Sequence, residues 1–130
     1  MYNRFLIIAG ISGALSVALG AMGAHALKMV IIPELLQTYE KAVQYQVYHT
    51  FGLIAVALLM QNNSTKFLRW SGNLFIAGIV LFSGSLYFLS TRSLIGVEGM
   101  RWVGAITPFG GLSFITGWLF FSFSFFTKKS

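Results

Sequence analysis

The sequence predicts an all-α integral membrane protein, a four-helix bundle with a short amphipathic helix between its first and second spans. The first observation is composition, because 56% of the 130 residues are hydrophobic and only 9% are charged. A soluble domain carries about 25% charged residues. The second observation is the presence of four long apolar stretches, close to the about 20 residues that a spanning helix needs. We expect a single transmembrane domain over residues 1–130.

The first span covers about residues 5–27 and has no acidic or basic residue between Arg4 and Lys28. A secretory signal peptide is the alternative, because residues 24–26 (Ala-His-Ala) resemble a small-x-small cleavage site. The apolar part of a signal peptide is about 7–15 residues long, so the longer run favours a retained helix. Pro33 and Glu34 then predict the start of the amphipathic helix, since a proline is tolerated in the first turn and an acid suits the dipole there. This helix can be continuous with the second span.

The second span contains the most polar stretch of the chain, residues 39–49. The apolar segment 50–60 alone is too short to cross a bilayer, so the span must cover about residues 42–61. That start draws Gln44, Tyr45, Gln46 and His49 below the membrane surface. Polar groups placed there are costly and usually face other helices, a cavity or a partner.

The third and fourth spans, about residues 70–91 and 102–127, contain no charged residue, and Lys128-Lys129 closes the fourth. Pro108 interrupts the fourth pattern, since a proline removes one helical hydrogen bond and clashes with the preceding turn. One interpretation is a kink whose freed carbonyl is satisfied by a neighbouring helix or a threonine hydroxyl. The other is a helix break that exposes backbone carbonyls to a pocket.

The net charge of +6 does not indicate nucleic-acid binding, because the basic residues lie between the apolar runs and near the chain ends. Four spans place both termini on one side of the membrane, with five basic residues against four on the other. The positive-inside rule therefore predicts cytoplasmic N and C termini in a cell inner membrane. The chain has no cysteine, which excludes disulfides and thiolate metal sites.

The more polar side chains of all four spans fall in the outer half of the membrane when depth is counted at about 1.5 Å per residue. The inner half has only Ser12, Ser16, Asn73, Ser113 and Thr116. This asymmetry predicts a polar pocket that opens outward, and it argues against a continuous ion pore, which needs polar lining throughout. The candidate ligand-binding residues are His25, Glu40, Gln44, Tyr45, Gln46, His49, Ser83, Ser85 and Thr107.

Two alternatives to a pocket stay open. The first is structural: Gln46 and His49 hydrogen-bond to Ser83, Ser85 or a backbone carbonyl and simply fasten the bundle, each bond contributing about 0.6–2 kcal/mol. The second is paired haem or metal ligation by His25 and His49. Their depths differ by about 7 Å and no carboxylate accompanies them, so we expect no metal site, no catalytic residue and no cofactor.

Three functions follow from these observations. The main hypothesis is binding, of a membrane partner or of a small or lipid-like ligand in the pocket. A small transporter or proton-linked permeation unit is the second, and a haem- or metal-dependent membrane enzyme is the third. The expected partners are the lipid bilayer and, as open alternatives, another membrane protein or a second copy of the chain.

Four motifs distributed over the whole chain resemble the YgdD/YwdK-like family of small four-helix bacterial inner-membrane proteins, which has eukaryotic small transmembrane relatives. The motifs are residues 20–27 (GAMGAHAL), residues 39–49, residues 81–87 (LFSGSLY), and residues 107–111 (TPFGG) with Gly117-Trp118. The resemblance implies four retained helices and supplies no established activity. The candidate residues that lie in these motifs are His25, Gln44, Gln46, His49, Ser83, Ser85 and Thr107, together with Pro108. The loop near residues 95–99 looks somewhat longer than in the enterobacterial member.

Overall fold

The computed structural model describes residues 1–97 and 99–126, and every regular element within these ranges is helical. Four helical segments are long and apolar enough to cross a membrane: residues 2–29, 33–62, 66–91 and 101–126. The predicted all-α, four-span architecture is therefore confirmed. The α-helices are α1 (Tyr2–Ala24), α2 (Pro33–Asn62), α3 (Lys66–Gly78), α4 (Gly84–Thr91) and α5 (Thr107–Phe126).

The predicted amphipathic helix and the second span form one continuous helix, α2, of 30 residues. Ile32 is extended before Pro33, as the residue preceding a proline prefers to be, and Pro33 takes a position in the first turn. At about 1.5 Å per residue α2 is about 45 Å long, which exceeds a hydrocarbon core of about 30 Å. The polar beginning of α2 therefore extends beyond the hydrocarbon core.

The third crossing is interrupted by a π-helical turn, Ile79–Ser83, between α3 and α4. Thr65 caps α3, because its side-chain oxygen accepts a hydrogen bond from the Leu68 backbone N–H at 3.1 Å. A π turn inserts an extra residue into the helical repeat, so the side chains after it point in new directions. The sequence predicts this crossing as a span over about residues 70–91 and gives no indication of a π turn within it.

The fourth crossing starts with a 3-10 turn, Arg101–Ala105, and becomes α-helical at Thr107. Pro108 lies in the first turn of α5, where a missing backbone N–H leaves no helical hydrogen bond unmade. The proline therefore marks a junction between a 3-10 turn and an α-helix rather than a kink inside a long helix. Glu98, Thr127, Lys128 and Lys129 lie outside the described residues.

The helices pack in a definite order: α1 lies along α2, α3 lies along α5, and α2 also contacts α3 and α4. Phe5 of α1 packs over Gly72 of α3, and Phe75 of α3 packs over Gly117 of α5. We call the end of the bundle near Tyr2 the terminal end, and the end near the 3-10 turn Leu27–Met29 the connector end. The apolar core lies mainly in the half next to the terminal end and comprises Phe5, Ala9, Leu53, Val56, Ala57, Met60, Leu68, Phe75 and Phe114.

Candidate functional site

Gln46 joins three helices near the middle of the bundle. Its Nε2 donates to the backbone carbonyl of Ser12 on α1 at 3.1 Å, and its Oε1 accepts from the Tyr87 hydroxyl on α4 at 2.6 Å. Ser12 Oγ lies 2.7 Å from the Thr50 hydroxyl, which donates to the Gln46 backbone carbonyl. The Gln46 side chain is only 4% exposed. Both ends of its amide are therefore used within the bundle, where such bonds hold helices together.

Two serines of the third crossing are also satisfied by neighbouring helices. Ser83, in the π turn, donates to the backbone carbonyl of Ala42 on α2 at 2.7 Å. Ser85 donates to the Phe82 carbonyl at 2.9 Å, and the Thr107 hydroxyl lies 2.6 Å from its oxygen. Because Ser85 uses its own proton on the carbonyl, Thr107 is the donor in the second bond. These contacts fasten the third crossing to α2 and to the start of α5.

His49 is held on both sides of its ring. Its Nδ1 lies 2.7 Å from the Tyr45 backbone carbonyl, and the indole Nε1 of Trp118 donates to its Nε2 at 3.0 Å. An indole N–H can only donate, so Nε2 is the unprotonated nitrogen and Nδ1 carries the proton. The imidazole also stacks on the Phe114 ring, with centroids 3.5 Å apart and planes 10° from parallel. Its orientation and tautomer are thus fixed by three contacts.

A groove lies beside His49, between α2, the π turn and α5, and we call it the aromatic groove. Its volume is about 580 Å³, within the range of about 300–1,000 Å³ that small-molecule sites occupy. Three lining side chains are themselves largely exposed, Tyr48, Ile115 and Trp118, so the groove opens toward the lipid-facing surface. The lining residues are Tyr45, Tyr48, His49, Phe82, Gly111, Phe114, Ile115 and Trp118.

Contacts between aromatic rings build the walls of the aromatic groove. Tyr45 packs against Phe82 of the π turn, with ring centroids 4.7 Å apart. Phe82 in turn packs against Phe114 at 5.6 Å. Gly110 permits this arrangement, because a Cβ there would collide with the backbone of Phe82. The close approach of α5 to the π turn therefore sets where the rings lie.

Two phenol hydroxyls at the aromatic groove have no hydrogen-bond partner in the described part of the chain. Neither the Tyr45 nor the Tyr48 hydroxyl makes a hydrogen bond to residues 1–97 or 99–126. Both side chains line the groove, and their rings lie 5.7 Å apart. A phenol in an apolar setting without a hydrogen bond loses free energy, so these hydroxyls favour an occupant that carries an acceptor.

The nine predicted site residues separate into three sets. Four are buried or half-buried and hydrogen-bonded across helices: Gln46, Ser83, Ser85 and Thr107. Two line the aromatic groove, Tyr45 and His49. Three are exposed: His25, Glu40 and Gln44. The four hydrogen-bonded residues are thus packed between helices, and the aromatic groove lies beside them. Ligand binding by these residues remains a prediction.

The exposed residues lie near the connector end. His25 follows the last residue of α1, and its backbone N–H closes the helix on the Ala21 carbonyl. Glu40 and Gln44 line a shallow cleft of about 260 Å³ against Gly20 of α1. Their position one helical turn apart on α2 explains why they share that cleft. His25 does not line the aromatic groove.

Several residues at these sites are not among the predicted site residues. Ser12, Thr50 and Tyr87 complete the Gln46 network, and Phe82, Phe114 and Trp118 build the groove. Ser12 is expected from the sequence in the inner half, apart from the polar cluster, but it bonds directly to Gln46. A polar residue in an apolar span is a usable signal for the first three. The phenylalanines and tryptophan carry no such signal, because aromatic residues in a membrane helix also face lipid or mark its ends.

No group of three or more potential metal-ligating side chains occurs among residues 1–97 and 99–126. Both ring nitrogens of His49 are engaged within the protein, and His25 lies at the exposed end of α1. The two histidines are therefore not arranged as a pair of ligands on one ion or haem. What the site offers chemically is stacking, apolar contact and two free hydroxyl donors.

Comparison with known proteins finds relatives that match most of the chain. Residues 19–111 match the model of the family described as "Protein of unknown function (DUF423)". The UPF0382 membrane protein YwdK of Bacillus subtilis is 45% identical over 116 residues, which is 88% of this chain and 89% of YwdK. The UPF0382 inner membrane protein YgdD of Escherichia coli is 39% identical over 119 residues, 91% of this chain and 86% of YgdD. A UPF0382 membrane protein of Staphylococcus haemolyticus is 42% identical over 115 residues, 88% of each chain. No solved structure matches the chain at a significant level.

Proposed function

The chain belongs to the DUF423 family of membrane proteins of unknown function, and we propose that it binds one lipid-like molecule in the aromatic groove between α2 and α5. The observation that supports this proposal is the composition of that groove. Six of its eight lining residues carry rings, and two of these rings bear hydroxyls without a partner in the described chain. An apolar cavity with a few polar groups is the usual form of a small-molecule site.

The groove favours a particular ligand chemistry. Stacked aromatic walls suit a flat or chain-like apolar body, because such a body gains both area burial and ring contacts. Tyr45 and Tyr48 follow Lys41 by four and seven residues, which corresponds to depths of about 6 and 10 Å. Side chains on a helix lean toward its N-terminus, so these hydroxyls lie nearer the headgroups than their backbones do. The ligand would therefore carry a hydrogen-bond acceptor at its headgroup end.

His49 acts in this proposal as a rigid wall of the groove. His49 donates to Tyr45 carbonyl, accepts from Trp118 and stacks on Phe114, so three of the groove's walls are fixed relative to one another. A groove held open by packed side chains loses little conformational entropy on binding. The earlier candidates Gln46, Ser83, Ser85 and Thr107 then contribute by bracing the helices rather than by touching the ligand.

Permeation of ions through a single copy of the chain has less support than ligand binding in the groove. The half of the bundle next to the terminal end is filled by the apolar core, including Phe5, Leu53 and Phe75, each fully buried. Ser71 and Ser113, which could line a path there, donate to the backbone carbonyls of Gly117 and Leu74. A route for ions needs polar groups that remain available along its length.

A substitution that fills the groove tests the proposal. A Cβ added at Gly111 would lie 3.9 Å from the Phe82 ring, an ordinary contact, so Gly111→Leu can extend into the groove without displacing the backbone. Gly84→Leu is the matched control, because Gly84 is exposed and a Cβ there meets nothing within 4 Å. Both variants and the parent would be extracted with their lipids in polymer nanodiscs, and bound molecules would be identified by mass spectrometry.

We expect the parent and Gly84→Leu to retain one molecular species well above its abundance in the bulk membrane extract. Gly111→Leu should lose at least about nine-tenths of it, since the added side chain occupies the same space. Lipids in bulk proportions in all three samples would refute the proposal. A co-purifying protein lost only in Gly111→Leu would instead identify the groove as a partner site.

A further inference from the structure

We propose that two copies of the chain associate through one surface of the third crossing, which we call the Asn73 face and define as Trp70, Asn73 and Ala77 of α3 together with Val80 of the π turn. The two Asn73 side-chain amides would hydrogen-bond reciprocally across a two-fold axis along the membrane normal. This inference is independent of the aromatic groove, because it rests on a different helix and on a different unpaired group.

The first observation is the Asn73 amide itself. It is half-buried in the third crossing, residues 66–91, and it makes no hydrogen bond within the described chain. Asn73 follows the predicted start of the third span, residue 70, by three positions, which places its backbone about 5 Å inside the span. A polar group within a span is costly without a partner and usually faces a protein surface. The amide is thus unmatched within its own bundle.

The second observation is the direction in which Asn73 points. The opposite side of α3 is used inside the protein: Leu68 and Phe75 are buried in the core, and Phe5 of α1 covers Gly72. Residue 73 is about 160° around the helix from residue 75 at the α-helical spacing of about 100° per residue. The amide therefore projects away from the core toward the surrounding bilayer.

The third observation is the spacing of the Asn73 face. Its four residues lie three, four and three positions apart, which is the heptad spacing of a packed helix pair. Trp70 is 58% exposed and Val80 is 65% exposed. Ala77 is small and lies one turn from Asn73, so a second helix can approach closely there. Two exposed and two half-buried residues thus form a ridge that resembles one half of a helix–helix seam.

A second copy is the occupant that this surface fits. Identical chains share one membrane topology, so α3 of one copy runs parallel to α3 of the other when both turn this face inward. When the two helices pack parallel and in register, the residues of the face that lie near the two-fold axis meet their own counterparts. A carboxamide has both donors and acceptors, so two Asn73 side chains satisfy each other, whereas an acyl chain offers neither.

Cysteine cross-linking tests this arrangement with no background, because the chain has no native cysteine. Ala77→Cys would be oxidised in native membranes, where a disulfide requires Cα atoms within about 7 Å. The matched control is Leu15→Cys, which is 52% exposed on α1. It follows the first residue of α1 by 13 positions, as Ala77 follows that of α3 by 11, so the depths are similar.

We expect Ala77→Cys to form covalent dimers at least five-fold more than Leu15→Cys. Adding Asn73→Leu to Ala77→Cys should lower dimer formation at least five-fold, while adding Ser122→Leu, an exposed polar-to-leucine change on α5, should not. Asn73→Leu should also leave the thermal unfolding midpoint of dispersed monomers unchanged, since the amide makes no hydrogen bond to residues 1–97 or 99–126.

Three results would overturn the proposal. If Ala77→Cys forms no dimer, the Asn73 amide contacts lipid or solvent and not a second copy. Equal dimer formation by Leu15→Cys would indicate random collision in the membrane. Dimers that persist unchanged with Asn73→Leu would remove the amide as the group that holds the copies together.

Discussion

At the scale of single residues, the structure separates neighbouring polar side chains of α2 into opposite roles. Gln44 is exposed, while Gln46, two positions later, is 4% exposed and bonded to two other helices. Successive residues on a helix differ by about 100°, so two positions are enough to move a side chain from surface to core. The two glutamines are thus a natural matched pair for measuring what the network contributes.

Replacing Gln46 by leucine should destabilise the bundle. The change leaves the Tyr87 hydroxyl without its acceptor and the Ser12 carbonyl without its side-chain donor, both away from water. We expect the free energy of unfolding to fall by about 1–2 kcal/mol. Reversible unfolding of purified protein in mixed detergent micelles would measure this difference.

Gln44→Leu is the control, because it makes the same change on the exposed side of α2. It should alter stability by less than about 0.5 kcal/mol. Combining Gln46→Leu with Tyr87→Phe should cost less than the sum of the single changes, since one bond is removed by both. If the stability losses of Gln46→Leu and Tyr87→Phe were fully additive, the Gln46–Tyr87 bond would not contribute. Equal stability losses for Gln46→Leu and Gln44→Leu would likewise contradict a stabilising role of the Gln46 network.

At the scale of elements, the π turn determines how the third crossing meets its neighbours. Its last residue, Ser83, donates to the α2 backbone, and the ring of the preceding Phe82 enters the aromatic groove. α5 reaches this turn through Gly110, where a Cβ would collide with the Phe82 N and the Leu81 carbonyl carbon. The contact is backbone against backbone, so no side-chain rotation can relieve a larger residue.

Gly110→Ala should therefore be more damaging than its small size suggests. Moving α5 away from the π turn disturbs the packing between Phe82 and Phe114, and overpacking of this kind costs about 1–3 kcal/mol. The adjacent Gly111→Ala is the control, since its Cβ meets only the Phe82 ring at 3.9 Å. Thermal unfolding of both variants in one detergent would compare them. Equal stability of the two variants would show that α5 does not depend on this close approach.

At the scale of the whole molecule, the bundle is asymmetric along its axis. Apolar side chains fill the half next to the terminal end, the Gln46 network and the aromatic groove lie near the middle, and the cleft of Glu40 and Gln44 lies toward the connector end. The side of the membrane that each end faces is set by the charges of the flanking segments. Our prediction of cytoplasmic termini places the connector end and this cleft on the outer side of the membrane.

Reporter fusions would test this orientation. A fluorescent protein that folds only in the cytoplasm should be fluorescent when fused after residue 130. Alkaline phosphatase, which needs an oxidising compartment, should be active when fused at Ile95 in the loop between α4 and α5. The reverse pattern would place the connector end on the cytoplasmic side.

The sequence by itself determined the membrane class, the four crossings and the identity of the polar residues within them. Each of these depends on local quantities: composition, the length of apolar runs, and charges between them. It also led to Gln46 and His49, because a polar residue in an apolar span is conspicuous on its own.

Only the tertiary structure decided which partners those residues have. Whether Gln46 meets Tyr87 or an open cavity depends on how α2 and α4 rotate against each other. That rotation is set by contacts between residues far apart in sequence, including Gly110 with Phe82 and Gly72 with Phe5. The sequence of an apolar span gives little indication of this rotation. Lipid and protein interior are equally apolar, so the lipid-facing and protein-facing sides of a helix have similar residues. For that physical reason the groove could be found only from the packed bundle.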